Sequence, residues 1–208
     1  MKNRLLGVIL ALVAVGIGYF AYQSLPTEKP TALVYEPARA LEPFVLESSL
    51  GAPVTQESLH EQWTLLFTGY TFCPDICPTT MAELRRILPE LQQATNWPVR
   101  VWMISVDPQR DTLQRVTDYA TFFGEEFVGV RADHPELYPF VTGLGLMYSI
   151  PRPEDQDYLV NHSAAIVLVN PRGERTAIFN AEHVLGAVPT VNMAQLAKDF
   201  SLIAPKFR

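Results

Sequence analysis

The segment that most constrains the fold is a strand–loop–helix unit in the middle of the chain. A continuous apolar run within residues 63–70 predicts a buried strand. A loop with Cys73 and Cys77 follows this strand. The Pro-Thr-Thr sequence after the second cysteine predicts a helix over 78–91, because proline suits a first helical turn and threonine suits a cap. The two cysteines are therefore expected above a helix N-terminus.

The other predicted elements alternate between strand and helix. This alternation predicts crossovers and a parallel section, and the turn at 170–173 predicts a hairpin that adds antiparallel strands. We predict an α/β, thioredoxin-like fold in which helices flank a central mixed sheet. The further strands are expected at 44–46, 99–106, 127–130, 164–169 and 175–179, and the further helices at 112–123, 135–146 and 190–202.

Composition limits the class of protein. The 208 residues suffice for one domain with additional segments, and 48% hydrophobic residues with 18% charged residues indicate a globular chain. The net charge is −6 and the basic residues are scattered. A nucleic-acid partner is therefore not expected, because such proteins carry a basic patch.

The N-terminus predicts a membrane anchor. Residues 5–22 carry no charge and follow Lys2 and Arg4. As a helix they would span roughly 27 Å, close to a bilayer core of about 30 Å. A cleaved signal peptide is the alternative, although its apolar region is usually shorter, at about 7–15 residues. Because positive charge stays in the cytoplasm, we expect a single-pass inner-membrane protein whose soluble part faces the periplasm.

Three divisions of the chain follow. Residues 1–23 are expected to form a cytoplasmic tip and transmembrane helix. Residues 24–42 contain three prolines and little periodicity, which predicts a tether. Residues 43–208 are expected to form the thioredoxin-like domain. In an oxidising compartment, two cysteines would ordinarily form a structural disulfide, which remains an alternative.

The cysteine pair is suited to redox or metal chemistry. A helix N-terminus stabilises the thiolate, which both attacks disulfides and binds soft metals. Two thiolates with one imidazole suit copper, zinc or iron. The histidines are His60, His134, His162 and His183. We favour His162, because it immediately precedes the most apolar predicted strand, but spacing alone does not select it.

Three segments together resemble the SCO/SenC family of membrane-anchored copper proteins that help to assemble cytochrome c oxidase. They are GYTFCPDICPTT at 69–80, SVDPQRDT at 105–112 and DYLVNHS at 157–163. The resemblance covers roughly residues 42–180, in the right order, and adds the anchor. It implies a thioredoxin-like fold that binds copper, as Cu(I) or Cu(II), through Cys73, Cys77 and His162.

The resemblance also implies a role. Copper would be delivered to the dinuclear copper site of the oxidase, or the cysteines of that site would be reduced, with another copper chaperone or thiol reductant as a further partner. Such a protein is a metallochaperone rather than an enzyme. Two features depart from the family. Asn161 stands where an aspartate is more usual, and 181–191 match no family pattern, so His183 receives no role.

The alternatives are judged on spacing and ligand number. A thiol-disulfide oxidoreductase fits the fold and the dithiol, but three residues separate these cysteines where the usual redox motif has two. Structural zinc needs a fourth ligand, which is not evident. The peroxiredoxin pattern fails, because Tyr70 stands where that family has threonine. Asp75 is interpreted as a solvated loop charge, with partner recognition or pKa tuning as the alternative. Asp107 and Asp111 are interpreted as turn or cap residues, with a place at the border of the site as the alternative.

Overall fold

The computed structural model describes residues 7, 12–17, 28–152, 158–183, 186 and 188–207. None of the helices within these ranges is long and apolar enough to cross a membrane. The predicted anchor at 1–23 lies largely outside the described residues.

The described elements follow the predicted order closely. The strands are β1 (Leu33–Ala40), β2 (Val45–Ser48), β3 (Val54–Thr55), β4 (Trp63–Gly69), β5 (Val99–Ser105), β6 (Phe127–Arg131), β7 (Ile166–Val169) and β8 (Glu174–Phe179). The helices are α1 (Ile76–Gln93), α2 (Leu113–Thr121), α3 (His134–Gly143) and α4 (Met193–Ile203), with short 3-10 helices at Gln56–Leu59 and Ala204–Lys206.

The strands form one mixed sheet in the order β1-β8-β7-β4-β5-β6-β2-β3. The central strands β4, β5 and β6 are parallel, and the pairs outside them are antiparallel. The prediction of an α/β fold with a central mixed sheet is therefore confirmed.

Helices cover both faces of the sheet, as the uninterrupted burial of β4 requires. Leu65 and Phe67 belong to a core on one face, together with residues of α1, α2 and α4. Leu66 lies between these two residues, so its side chain points to the other face, where it belongs to a second core with residues of α3. The central strand is thus fixed from both sides, which makes its end a firm support for a site.

Strand directions bring several loops to one edge of the sheet. The end of β4 and the end of β5 lie at this edge because the two strands are parallel. The start of β7, the end of β8 and the start of β1 lie there too, because each of these strands is antiparallel to its neighbour. We call it the site edge. It brings the cysteine loop after β4 close to the segment before β7, which carries His162.

The expected tether is shorter than predicted, because β1 occupies much of it. This outer strand pairs with β8 and has an irregular register. Exposed and partly buried residues do not alternate strictly along β1, so its sequence lacks the usual strand pattern. It also contains Pro37, which an edge strand tolerates but which predicts a loop. Just before it, Thr31 and Ala32 are tied to buried Asp199 of α4: one carboxylate oxygen accepts hydrogen bonds from both backbone N–H groups and from the Thr31 hydroxyl, at 2.8–3.0 Å.

Candidate metal centre

The cysteine loop is folded tightly over the end of β4. The Cys73 N–H donates to the Tyr70 carbonyl at 3.2 Å, which closes a turn. Helix α1 begins at Ile76, two residues before the predicted start, so Cys77 lies in its first turn rather than in the loop. Proline at 78 is compatible with this start, because the first N–H groups of a helix have no intrahelical partner. Gly69 eases this packing, because a Cβ there would lie 3.2 Å from the Met103 side chain and 3.4 Å from Cys77 Sγ.

A buried carboxylate secures this loop from behind. Asp111 is fully buried and accepts hydrogen bonds from the Thr71 N–H at 2.9 Å, the Thr71 hydroxyl at 2.5 Å and the Ser105 hydroxyl at 2.6 Å. The sequence left two roles open for Asp111, as a turn or cap residue or as a residue that borders the site. The missed signal lay in the resemblance, since Asp111 belongs to one of its three segments, but its partner Thr71 is 40 positions away.

The two thiols are free and differ in environment. Cys73 is 9% exposed and Cys77 is 1% exposed. The backbone N–H of Cys77 donates to Cys73 Sγ at 3.4 Å. The hydrogen bond from the Cys77 thiol, helped by two backbone N–H groups, outweighs burial and holds the pKa of Cys73 well below its usual value. The same hydrogen bond and the deeper burial raise the pKa of Cys77. The lowered pKa of Cys73 favours its thiolate form, and the raised pKa of Cys77 favours its protonated thiol.

His162 presents one ring nitrogen to the sulfurs. Its Nε2 lies 3.7 Å from Cys77 Sγ. Its Nδ1 lies 3.0 Å from the Ser163 carbonyl oxygen and 3.3 Å from the hydroxyl of Thr68, which itself donates to that carbonyl at 2.9 Å. A carbonyl only accepts, so in the neutral ring Nδ1 carries the proton and Nε2 keeps a lone pair. This is the tautomer that a metal needs at Nε2.

The backbone around His162 is held by a short antiparallel bridge to Tyr148. On one side of it, the Ser149 N–H donates to the Asn161 carbonyl at 2.8 Å, and on the other, the Ser163 N–H donates to the Met147 carbonyl at 2.9 Å. The bridge places the imidazole over the cysteine loop, with its ring edge-on to Tyr70.

The donor set is chemically suited to a soft metal ion. Metal–sulfur bonds of about 2.3 Å and metal–nitrogen bonds of about 2.0 Å at roughly 110–120° separate the two ligand atoms by about 3.5–3.7 Å. The 3.7 Å between Cys77 Sγ and His162 Nε2 meets this requirement. Within the described ranges, no three His, Cys, Asp or Glu side chains converge closely enough to form a ready-made metal cage. The predicted ligands are thus adjacent rather than closed around one point.

A cleft of about 840 Å³ opens over the site, and Cys73, His162 and His183 are among the residues that line it. Its rim is apolar, with Met147, Leu159 and Val188 each more than half exposed. Cys77 does not line this cleft and lies beneath it. An incoming group therefore meets Cys73 and His162 first.

The other histidines have different surroundings. His60 forms an isolated bridge with Arg172, which lies in the turn between β7 and β8 and thus at the edge opposite the site edge. The Nδ1 of His134 lies 2.9 Å from the Tyr148 hydroxyl, and burial lowers the pKa of His134. Only His183 shares the cleft with His162 among these described rings, as an exposed lining residue.

Known proteins with related sequences and folds place this architecture in a family. The SCO1/SenC family model matches residues 34–194. The mitochondrial protein SCO1 homolog 1 of Arabidopsis thaliana is 33% identical over 141 residues, which make up 68% of this chain and 42% of that relative. The match thus spans less than half the length of that relative.

Solved structures agree with this assignment. The crystal structure of Arabidopsis thaliana ScoI with copper bound has a TM-score of 0.69 at 28% identity, over 80% of this chain and 99% of that chain. BsSco, described as a member of the Sco family of cytochrome c oxidase assembly proteins and as the subject of a disulfide switch, has a TM-score of 0.60 at 20% identity, over 86% and 98% of the two chains. The latter likeness supports the fold. Since the family match covers well over half of the sequence, this protein belongs to the SCO1/SenC family.

Proposed function

We propose that this protein binds copper through Cys73, Cys77 and His162 and delivers it to the dinuclear copper site of cytochrome c oxidase. The observation that carries the proposal is the 3.7 Å approach of the His162 lone-pair nitrogen to Cys77 Sγ in the first turn of α1, where the Cys77 N–H donates to Cys73 Sγ. Copper in the ScoI structure and the oxidase-assembly description of BsSco support the choice of cargo and acceptor.

The ligand chemistry favours copper. Thiolates are soft ligands that select Cu(I), and an added imidazole also accepts Cu(II). Because the pKa of Cys73 is already low, this residue binds without first releasing a proton at neutral pH. Only Cys77 has a thiol proton to lose on binding.

Release can use the open cleft. A site with three protein ligands leaves a coordination position free, and a thiolate of the acceptor can occupy it before the copper is transferred. Cys73 and His162 line the cleft, so the acceptor approaches from their side. Oxidation of Cys73 and Cys77 to a disulfide removes both thiolate ligands, which couples copper loading to redox state.

The same proposal places the protein at a membrane. The uncharged run 5–22 after Lys2 and Arg4 supports a single-pass anchor, with the folded domain in the periplasm. Anchoring raises the effective concentration of the domain near membrane-bound acceptors.

Copper stoichiometry of the reduced full-length protein in detergent tests the ligand set. We expect about one copper per chain, and marked loss of copper in Cys73→Ala, Cys77→Ala and His162→Ala. His60→Ala is the matched control, because His60 belongs to the opposite edge of the sheet and should keep parental stoichiometry. Retention of copper by His162→Ala alone would remove His162 from the ligand set, and His183→Ala would then be measured.

Thiol-disulfide exchange is the second candidate, and the asymmetry of the two thiols favours it. The Cys73 thiolate can attack a partner disulfide to give a mixed disulfide and release one partner thiolate. Cys77, after losing its proton, then attacks Cys73 Sγ. The partner leaves as a dithiol and a Cys73–Cys77 disulfide remains, so two electrons pass from this protein to the partner.

The two candidates differ in what they require of His162. Exchange needs both cysteines and no imidazole ligand, whereas copper binding needs all three side chains. Two results together would favour exchange over copper delivery. The parent protein would bind no copper, and His162→Ala would reduce a test disulfide at the same rate as the parent.

A further inference from the structure

A cluster next to the site joins the loop after β5 to the segment that carries His162. We call it the clamp: Asp107, Arg110 and Tyr158. The Arg110 Nε donates to one carboxylate oxygen of Asp107 at 2.6 Å, and the Tyr158 hydroxyl donates to the other at 2.7 Å. The Arg110 Nη2 donates to the Tyr158 backbone carbonyl at 3.0 Å. The three residues thus form a closed triangle.

The guanidinium of Arg110 is also stacked on aromatic rings from both halves of the site. Its central carbon lies 3.6 Å from the ring centroid of Tyr158 and 4.9 Å from that of Phe72, which precedes Cys73. Arg110 therefore touches the cysteine loop and the histidine segment at once. Tyr158 stands four residues before His162, so its backbone carbonyl fixes the start of that segment.

The chemistry of Arg110 matches this bridging position. Its planar fork donates in two directions from one rigid group while its face stacks on a ring, which a lysine ammonium cannot reproduce. Asp107 has a fully buried side chain, and Arg110 retains 21% exposure. A buried carboxylate is tolerated when charged and neutral donors satisfy it, and here one of each does so. These contacts therefore hold two chain segments together and do not form part of the hydrophobic core.

We propose that Arg110 is a positioning residue for copper binding: through Tyr158 and Asp107 it holds the segment before His162 against the cysteine loop, so that Nε2 stays beside the two sulfurs. This inference rests on the proposed ligand set. The bridge to Tyr148 fixes His162 from one side, and the clamp fixes the approach of the chain from the other.

The decisive variant is Arg110→Lys, which keeps the charge and loses the fork. We expect faster amide hydrogen exchange in residues 158–163 of the copper-free, full-length protein, with unchanged protection in β4 and β5. Copper affinity should fall about 10- to 100-fold, the usual effect of losing a group that orients a ligand. In the Cu(II) form, nitrogen coupling from the imidazole should weaken in the electron paramagnetic resonance spectrum. Tyr158→Phe keeps the stacked ring and should give a smaller change.

Arg115→Lys is the matched control. Arg115 also lies over the Phe72 ring, at 4.3 Å, and its Nε donates to the Thr71 hydroxyl at 3.4 Å, so its described contacts join it to the cysteine loop alone. We expect parental exchange in 158–163 and copper affinity within about twofold. Equal behaviour of the two lysine variants, or parental exchange in Arg110→Lys, would overturn the inference. A parent without copper would refute the proposed function, and exchange in the copper-free protein would still decide the role of Arg110.

Discussion

The two halves of the site are supported in different ways. The thiol half is part of the core: it follows the central strand, starts a long helix and rests on a fully buried carboxylate, Asp111. The imidazole half lies on a segment outside the regular strands, held by one backbone bridge and by the clamp. The difference indicates that the thiols are fixed by folding, whereas the position of His162 depends on a few replaceable contacts.

The largest expected effect comes from removing the support of the thiol half. Asp111→Ala leaves the Thr71 N–H, the Thr71 hydroxyl and the Ser105 hydroxyl without their acceptor. Unpaired buried groups cost about 1–3 kcal/mol each, and partial relaxation should leave a loss of about 3 kcal/mol in the free energy of unfolding. Urea denaturation of the reduced protein measures it.

Asp118→Ala is the control for that measurement. Asp118 is exposed and accepts a hydrogen bond from Gln114, so its loss should cost roughly 0.5 kcal/mol or less. Similar losses in the two variants would mean that the buried network adds nothing to the support of the cysteine loop.

A smaller effect is expected within the thiol pair. Cys77→Ala removes the hydrogen-bond donor that contributes most to the low pKa of Cys73. The pKa of Cys73 should rise toward the value of about 8.5 for an ordinary thiol, so less thiolate remains at acidic pH. A rise of the pKa from about 3 to about 7 would leave roughly one Cys73 in a hundred ionised at pH 5, so we expect alkylation of Cys73 at that pH to slow about 100-fold.

The sign of this pH dependence is fixed by the direction of the shift. A depressed pKa keeps Cys73 ionised as the pH falls, until the low pKa is reached, so the parental rate should stay flat from pH 8 to pH 6. The rate in Cys77→Ala should decline through that range. Mass spectrometry of the alkylated peptide follows Cys73 alone, and a flat profile in both proteins would show that the thiol donor does not control the pKa.

The smallest effect is expected for the imidazole itself. His162→Ala loses the Nδ1 contacts of a partly buried ring to the Ser163 carbonyl and the Thr68 hydroxyl. Neither partner is left unpaired, because the Thr68 hydroxyl still donates to the Ser163 carbonyl. The free energy of unfolding should fall by about 1 kcal/mol or less. Urea denaturation beside Asp111→Ala tests the comparison directly, and a loss as large as that of Asp111→Ala would contradict it.

Much of the fold could be predicted because its signals are local. The apolar run of β4 and the Pro-Thr-Thr sequence after Cys77 placed the cysteine pair where a strand gives way to a helix, although the helix begins at Ile76 and so includes Cys77. The sequence did not predict β1, because this strand pairs with β8, more than 130 positions away. Pro37 also made the segment resemble a flexible tether. A strand at a sheet edge carries only a weak pattern of its own.

The site was predicted less evenly than the fold. His162 could be nominated from its place before an apolar strand, but only the three-segment resemblance gave it weight over the other histidines. Asp107 and Asp111 resemble ordinary turn residues in the sequence, and their burial follows from partners 40 or more positions away. Arg110 lies in the same resembling segment as Asp111, but nothing local shows that its basic side chain will bridge two distant loops.

The attachment of Thr31 to Asp199 has a consequence for reach. It fixes the start of β1 at the site edge, so the chain leaves the domain on the side where the cleft opens. Between the proposed anchor and Thr31 stand residues 24–30, which span at most about 25 Å when fully extended. With so short a linker, an anchored domain would stay within a thin layer above the lipid headgroups. An acceptor buried in the bilayer could be served only through a copper-receiving group that rises into that layer, and a soluble donor would have to descend to it.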